Sequence, residues 1–118
     1  MRVLIVEDSR VGQLLCTVLE RDGHEPVLAG DGATGWREVT GADPPQMLIL
    51  DRMLPDMDGA DLLTRLRRDT RTAALPVLML TAAARASRDL DDGVLTRVLG
   101  KPFDLVELRR VLSELAGN

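Results

Sequence analysis

Met47-Leu48-Ile49-Leu50-Asp51 is an apolar run of strand length that ends on a carboxylate, and the Arg52-Met53-Leu54-Pro55-Asp56-Met57-Asp58-Gly59 that follows reads as a loop. Outward from it in both directions the same pattern recurs. Val3-Leu4-Ile5-Val6 is closed by Glu7 and Asp8, Val77-Leu78-Met79-Leu80 is closed by Thr81, and Val98-Leu99-Gly100 is followed by Lys101. Apolar runs of this length alternating with helical patterns are the signal of βαβ units and a parallel sheet. In open α/β sheets ligands bind beyond the carboxyl ends of the strands, so these polar side chains are expected to converge on one edge. Three acids, a hydroxyl and an amine meeting there describe a site for a divalent cation and a phosphoryl group.

The intervening segments supply the helices. A first helix is expected over 10–22, with Val11, Leu14, Leu15, Val18 and Leu19 on one apolar stripe, Cys16 off the stripe, and Gly23 at its end. Glu25 to Ala29 reads as a second strand, and Pro26, unable to donate to a central ladder, places it at a sheet edge. A short helix near 33–40 carries Trp36 as a packing residue, and a helix over 60–69 turns Leu62, Leu63 and Leu66 inward. The last helix begins after Asp104, whose spacing to Glu107 resembles a capping box, and presents Leu105, Leu108, Leu112 and Leu115 on one face. Between Thr81 and Lys101 the pattern is weakest. The segment 84–97 supports two or three turns of helix at most, interrupted by Gly93, and is expected to have low local stability.

Composition bounds the function. A chain of 118 residues, 45% hydrophobic with net charge −4, is expected to form a single soluble domain over 1–118. An acidic balance with 2% aromatic residues argues against direct binding of nucleic acid, which requires a basic face and stacking rings. The Arg65, Arg67, Arg68 and Arg71 cluster reads instead as cations favoured near a helix C-terminus. Cys16 is the only cysteine, so no internal disulfide or cysteine-based metal site can form. Met1 leads directly into a strand and no stretch approaches the roughly 20 apolar residues of a membrane span, so no membrane partner and a cytoplasmic location are expected.

Taken singly, the site residues have ordinary explanations: acids before a helix for Glu7 and Asp8, a turn start for Asp51, an N-cap for Thr81. Their joint placement at strand ends does not. Two unit charges about 4 Å apart repel by about 1 kcal/mol in water and by roughly 4 kcal/mol at an effective dielectric of 20, so three clustered carboxylates call for a cation. Magnesium suits them, with manganese a possible substitute, because it takes oxygen ligands and needs only one or two carboxylates plus phosphate oxygens. Lys101, the only lysine among fifteen basic residues, would face the incoming phosphoryl group as a point charge.

Glu7-Asp8, Asp51-x-x-x-Pro55-x-x-x-Gly59, Thr81-Ala82 and Lys101-Pro102-Phe103, in that order, resemble the receiver domain of bacterial two-component response regulators over essentially the whole chain. The resemblance implies a flavodoxin-like, doubly wound five-stranded parallel sheet of order 2-1-3-4-5 with helices on both faces. It implies that Asp51 is the phosphoacceptor, taking its phosphoryl group from a histidine kinase or phosphotransfer protein. Asp8, Asp51 and the Met53 backbone carbonyl would hold magnesium, with Glu7 acting mainly through bound water. Lys101 would pair with phosphoryl oxygens, the Lys101-Pro102 bond would be cis, and Thr81 would swing inward on phosphorylation. Such a domain is not an enzyme; it assists its own phosphorylation and dephosphorylation, and signals to an effector domain or a downstream protein. Val98 stands where the family usually carries Tyr or Phe, and the stretch from Thr81 to Lys101 is about two residues short of the family pattern, which unsettles the output route.

Other readings remain open on the residues alone. A Toprim-type metal-dependent domain would combine Glu7 with the Asp56-Met57-Asp58 pair, although that reading leaves Thr81 and Lys101 unexplained. A flavodoxin would place a phosphate loop after the first strand, where Glu7 and Asp8 would repel it. A receiver-like interaction module that works without phosphorylation keeps the fold and discards the chemistry.

Overall fold

The structure, a computed structural model, describes residues 1–117 and leaves Asn118 outside them. Its elements are β1 (Arg2–Val6), α1 (Arg10–Arg21), β2 (Glu25–Ala29), α2 (Gly32–Val39), β3 (Met47–Asp51), α3 (Gly59–Arg68), β4 (Val77–Thr81), a 3₁₀ turn (Arg85–Leu90), β5 (Thr96–Gly100) and α4 (Leu105–Leu115). The five strands form one parallel sheet in the order β2-β1-β3-β4-β5.

Strand periodicity divides the core in two. Val3, Ile5, Met47, Ile49, Leu78 and Leu80 point to one face, where Leu15 and Leu19 of α1 and Leu108 and Leu112 of α4 cover them. Leu4, Val6, Leu48, Leu50, Val77 and Met79 point to the other, under Val39 of α2 and Leu62, Leu63 and Leu66 of α3. Because both faces are covered, β3 and β4 are buried from end to end, which is why they read as unbroken apolar runs instead of alternating ones. Each fully buried aliphatic side chain contributes about 1.5–3 kcal/mol of transfer free energy. The edge position expected from Pro26 is the one observed: β2 pairs on one side only and is largely exposed.

Two helical details differ from the sequence reading. Leu14, placed on the α1 stripe, is 52% exposed, and Cys16, placed off it, packs against the core. Gly12 explains the rotation, since a Cβ there would lie 2.8 Å from Leu28 Cδ1 and 3.2 Å from Glu7 Cγ; the bare glycine brings that side of the helix against the sheet. In α4, Asp104 caps by accepting the Glu107 N–H at 2.7 Å, while the Glu107 carboxylate faces Arg110 at 4.0 Å, so only half of the expected box is formed.

The segment after β4 is less helical and more tightly tied than its sequence suggests. Only Arg85–Leu90 winds, as a 3₁₀ turn without a side-chain cap. Beyond it, Asp92 Oδ1 accepts N–H groups from Val94, Leu95 and Thr96 at 2.8–2.9 Å, and Asp91 accepts from Gly93 and Val98. Gly93 takes a φ of 74°, which its missing Cβ makes cheap. Arg67 turns inward from α3 and donates to the Leu75 carbonyl and Thr96 Oγ1 at 2.7 Å and to the Leu95 carbonyl at 3.2 Å. It lies in the last turn of α3 with Arg65 and Arg68, as expected, and in addition serves as a half-buried brace to the segments around Leu75 and Thr96; of the others, Arg71 pairs with Asp69 at 2.7 Å and Arg65 stacks 3.8 Å over Trp36.

Gly59 decides how closely the loop after β3 can return to that strand. A Cβ at this position would collide with the Asp51 carbonyl and lie 2.8 Å from Arg52 Cα, backbone atoms that cannot rotate away. Helix propensity alone predicts that Gly59→Ala stabilises α3 by about 1 kcal/mol. Overpacking predicts a loss of about 1–3 kcal/mol. Denaturant melts are expected to show the loss, and a stabilised variant would mean that the loop has room to spare.

Candidate functional site

Glu7 and Asp8 lie immediately beyond β1, Asp51 ends β3, Thr81 ends β4 and Lys101 follows β5, so parallel pairing delivers all five to the same sheet edge. They line an open cleft of about 750 Å³ together with Met53, Ala82 and Ala83. One carboxylate oxygen from each of Glu7, Asp8 and Asp51 lies within 4.8 Å of the others. Lys101 Nζ reaches two of them, at 2.9 Å from Glu7 Oε2 and 3.2 Å from Asp51 Oδ2. The Lys101-Pro102 bond is cis.

The three acids are not equivalent. Glu7 is 2% exposed and Asp51 is 5% exposed, whereas Asp8 faces solvent. Burial works to raise the Glu7 pKa, but hydrogen bonds from Lys101 and Ser9 outweigh it and hold the carboxyl below its usual range. Burial also pushes Asp51 up, and here the neighbouring Glu7 carboxylate adds to the shift, so Asp51 resists ionisation where Glu7 does not. Burial works downward on Lys101, and its two carboxylate partners more than offset that, keeping the ammonium charged. One cation thus serves two buried anions, and the uncompensated charge lies toward Asp51 and exposed Asp8.

Local hydrogen bonds aim these groups. Asp51 Oδ1 accepts the Met53 N–H at 3.2 Å. Thr81 Oγ1 accepts the Ala83 N–H at 3.0 Å, which leaves the hydroxyl proton available to a ligand in the cleft. Met53 and Asp58 face each other as an isolated antiparallel bridge whose hydrogen bonds run from Gly59 N to the Arg52 carbonyl and from Leu54 N to the Met57 carbonyl. Those bonds flank Met53 and leave its own carbonyl outside the ladder.

Ser9 is a residue the sequence reading passed over. Its hydroxyl donates to Glu7 Oε1 at 2.7 Å and accepts the Val11 N–H at 3.1 Å, so one serine caps α1 and orients Glu7. A serine directly before a helix is an N-cap signal; its second bond is visible only in three dimensions. The Asp56-Met57-Asp58 pair does not join the acidic cluster. Asp56 accepts the Gly32 and Ala33 N–H groups at 2.8 and 3.0 Å, and Asp58 caps α3 through the Ala60 N–H at 2.8 Å. Both carboxylates are committed to helix N-termini, which removes the basis for a Toprim-type metal pair.

Comparison with known proteins agrees with this geometry. Residues 3–113 match the model of the response regulator receiver domain. The chain is 38% identical over 110 residues to the DNA-binding dual master transcriptional regulator RpaA of Synechocystis sp., covering 91% of this chain and 45% of that protein. It is 30% identical to the chemotaxis protein CheY1 of Helicobacter pylori, covering all of this chain and 98% of CheY1. The chain therefore spans about half the length of RpaA and nearly the whole of CheY1. Among solved structures it superposes with a TM-score of 0.80 and 29% identity on the receiver domain of the Pseudomonas aeruginosa sensor histidine kinase PA1611, which carries a magnesium ion in its active-site cleft, covering 99% of this chain and 98% of that one. A sheet of order 2-1-3-4-5 with acids, hydroxyl and lysine gathered at its carboxyl edge, matched along nearly its whole length, makes this chain a member of the response regulator receiver domain family.

Proposed function

We propose that this receiver domain accepts a phosphoryl group on the Asp51 carboxylate, from a phosphohistidine of a partner kinase or phosphotransfer protein, in a magnesium-dependent step. The observation that carries the reading is the asymmetric cluster: Asp51 is buried within 4.8 Å of two further carboxylates and has Lys101 at 3.2 Å on its Oδ2 side. Three oxygen donors at this separation suit a hard divalent cation, and Asp8, Asp51 and the Met53 carbonyl would hold it, with Glu7 acting through water. When bound, the ion neutralises the carboxylates and polarises phosphoryl oxygens.

The chain's own groups do the rest. An Asp51 oxygen attacks phosphorus, the P–N bond to the donor imidazole breaks, and the electron pair leaves with that ring. Lys101, kept charged by Glu7 and Asp51, would meet the negative charge on the phosphoryl oxygens. Thr81 turns its free hydroxyl proton to a phosphoryl oxygen. Met53, Ala82 and Ala83 at the rim set how easily water reaches the acyl phosphate. Output passes to an effector domain or a separate protein, as the half-length match to RpaA suggests.

Incubation with magnesium and a small phosphodonor such as acetyl phosphate is expected to give a single phosphoryl adduct by intact-mass spectrometry, absent from Asp51→Asn and absent when magnesium is chelated. Equal labelling of the variant would remove Asp51 from the role, and no labelling of either protein would favour the phosphorylation-independent module.

The raised pKa of Asp51 also sets a stability sign. A carboxyl whose folded-state pKa lies above its unfolded value loses stability as pH rises from the unfolded value through the folded one, and carries the full cost above it, because the native environment disfavours its ionised form. In chelator at neutral pH, Asp51→Asn is therefore expected to be more stable than the native chain by about 1 kcal/mol. Added magnesium should reverse the order, since it binds the native cluster more tightly than the variant's. Denaturant melts in both conditions check this; a variant less stable in chelator would show that Lys101 already neutralises the cluster.

A further inference from the structure

We infer that Arg52 is a positioning residue that ties the phosphoacceptor loop to the 85–90 turn, so that the turn responds to the state of Asp51. The inference rests on the proposed role of Asp51. Arg52 is its direct chain neighbour and lines the same cleft. The Arg52 backbone is held at both ends, its N–H donating to the Leu80 carbonyl at 2.9 Å and its carbonyl accepting from Gly59 at 2.6 Å. From this fixed base the guanidinium reaches in two directions. Nε lies 3.3 Å from Asp58 Oδ1, and a terminal nitrogen donates to Ser87 Oγ at 2.5 Å, a contact spanning 35 residues of chain.

Ser87 sits inside the 3₁₀ turn and is fully buried, at 0% exposure. Every buried side-chain polar atom among the described residues has a partner, and for the Ser87 hydroxyl that partner is Arg52. The remainder of the segment is anchored independently, by Asp91, Asp92 and Arg67. Val98 carries no ring that could swing between the sheet and the surface.

A phosphoryl group on Asp51 would bring negative charge into a cleft lined by a cation already divided between Asp58 and Ser87. Arginine's five donors lie in one rigid plane, so turning toward the cleft means turning away from Ser87. A buried hydroxyl that loses its donor is costly, and the turn must then move to find water or another partner. The neighbouring Thr81, drawn inward, pulls the 82–84 loop the same way. Arg52 and Thr81 thus act on one short segment, at its middle and at its start.

The test uses the full chain with magnesium and beryllofluoride as the phosphoryl mimic, reading the adduct by fluorine NMR and residues 83–91 by hydrogen exchange. In the native protein the adduct should change protection across 83–91. In Ser87→Ala the adduct should still form, while that change shrinks by about threefold or more, the size expected for one contact that modulates coupling. Arg52→Met, read the same way, decides the matter should Ser87→Ala fold poorly, and Arg52→Lys, which keeps a donor, should retain most of the response. A contact that is merely structural would alter protection equally with and without the mimic, and an undiminished difference would overturn the inference. So would an adduct that forms in the native protein and fails in Ser87→Ala. Absence of the adduct from the native protein would overturn the reading of Asp51 and this inference with it.

Discussion

Two buried carboxylates share one ammonium at the carboxyl edge of the sheet, beside a third that faces solvent, and the surrounding structure is arranged to hold that imbalance. Lys101 compensates Glu7 and Asp51 at 2.9 and 3.2 Å, which leaves Asp8 to solvent and Asp51 resisting its own charge. Coulomb repulsion between carboxylates within 4.8 Å of one another amounts to a few kcal/mol at an intermediate dielectric, a large share of the roughly 5–15 kcal/mol that a domain of this size has in total. The core must therefore supply the margin. It does so through strands buried on both faces, which fix the spacing of the charges because β1, β3 and β4 cannot shift register without moving their side chains to the wrong layer.

The loop from Arg52 to Asp58 is built to the same end. Gly59 lets it return to within backbone contact of β3, Asp56 attaches it to the N-terminus of α2, and Asp58 attaches it to the N-terminus of α3. Two carboxylates that in sequence look like ligands are helix caps, each favoured by the partial positive charge of the helix end it meets. Their effect on the site is indirect but specific. They hold the loop whose Met53 carbonyl stays outside the ladder and whose Met53 N–H donates to Asp51.

The opposite side of the cleft is built differently. The 85–90 turn is a 3₁₀ element with no side-chain cap, bounded by a loop that Asp91, Asp92 and Arg67 hold with many hydrogen bonds. A weak element between two firm ones is where a local change in charge can be absorbed as motion, because local stability within a fold varies with contact density and capping. Valine at position 98 lies beside Met79 in the sheet and carries no ring.

Much of this was legible in the sequence. Apolar runs of three or four residues marked four of the strands, Pro26 marked the edge, and polar residues at run ends marked Glu7, Asp8, Asp51, Thr81 and Lys101, because position at a strand's carboxyl end is enough to place a side chain on that edge. These features depend on period and order along the chain, which are local properties. The inward turn of Arg67, the double role of Ser9, the commitment of Asp56 to α2, the rotation that exposes Leu14 and seats Cys16, and the reach of Arg52 to Ser87 were decided by tertiary structure. Each depends on which distant group lies within hydrogen-bonding or van der Waals reach, and an arginine or aspartate carries the same letter whether it faces solvent or braces a loop.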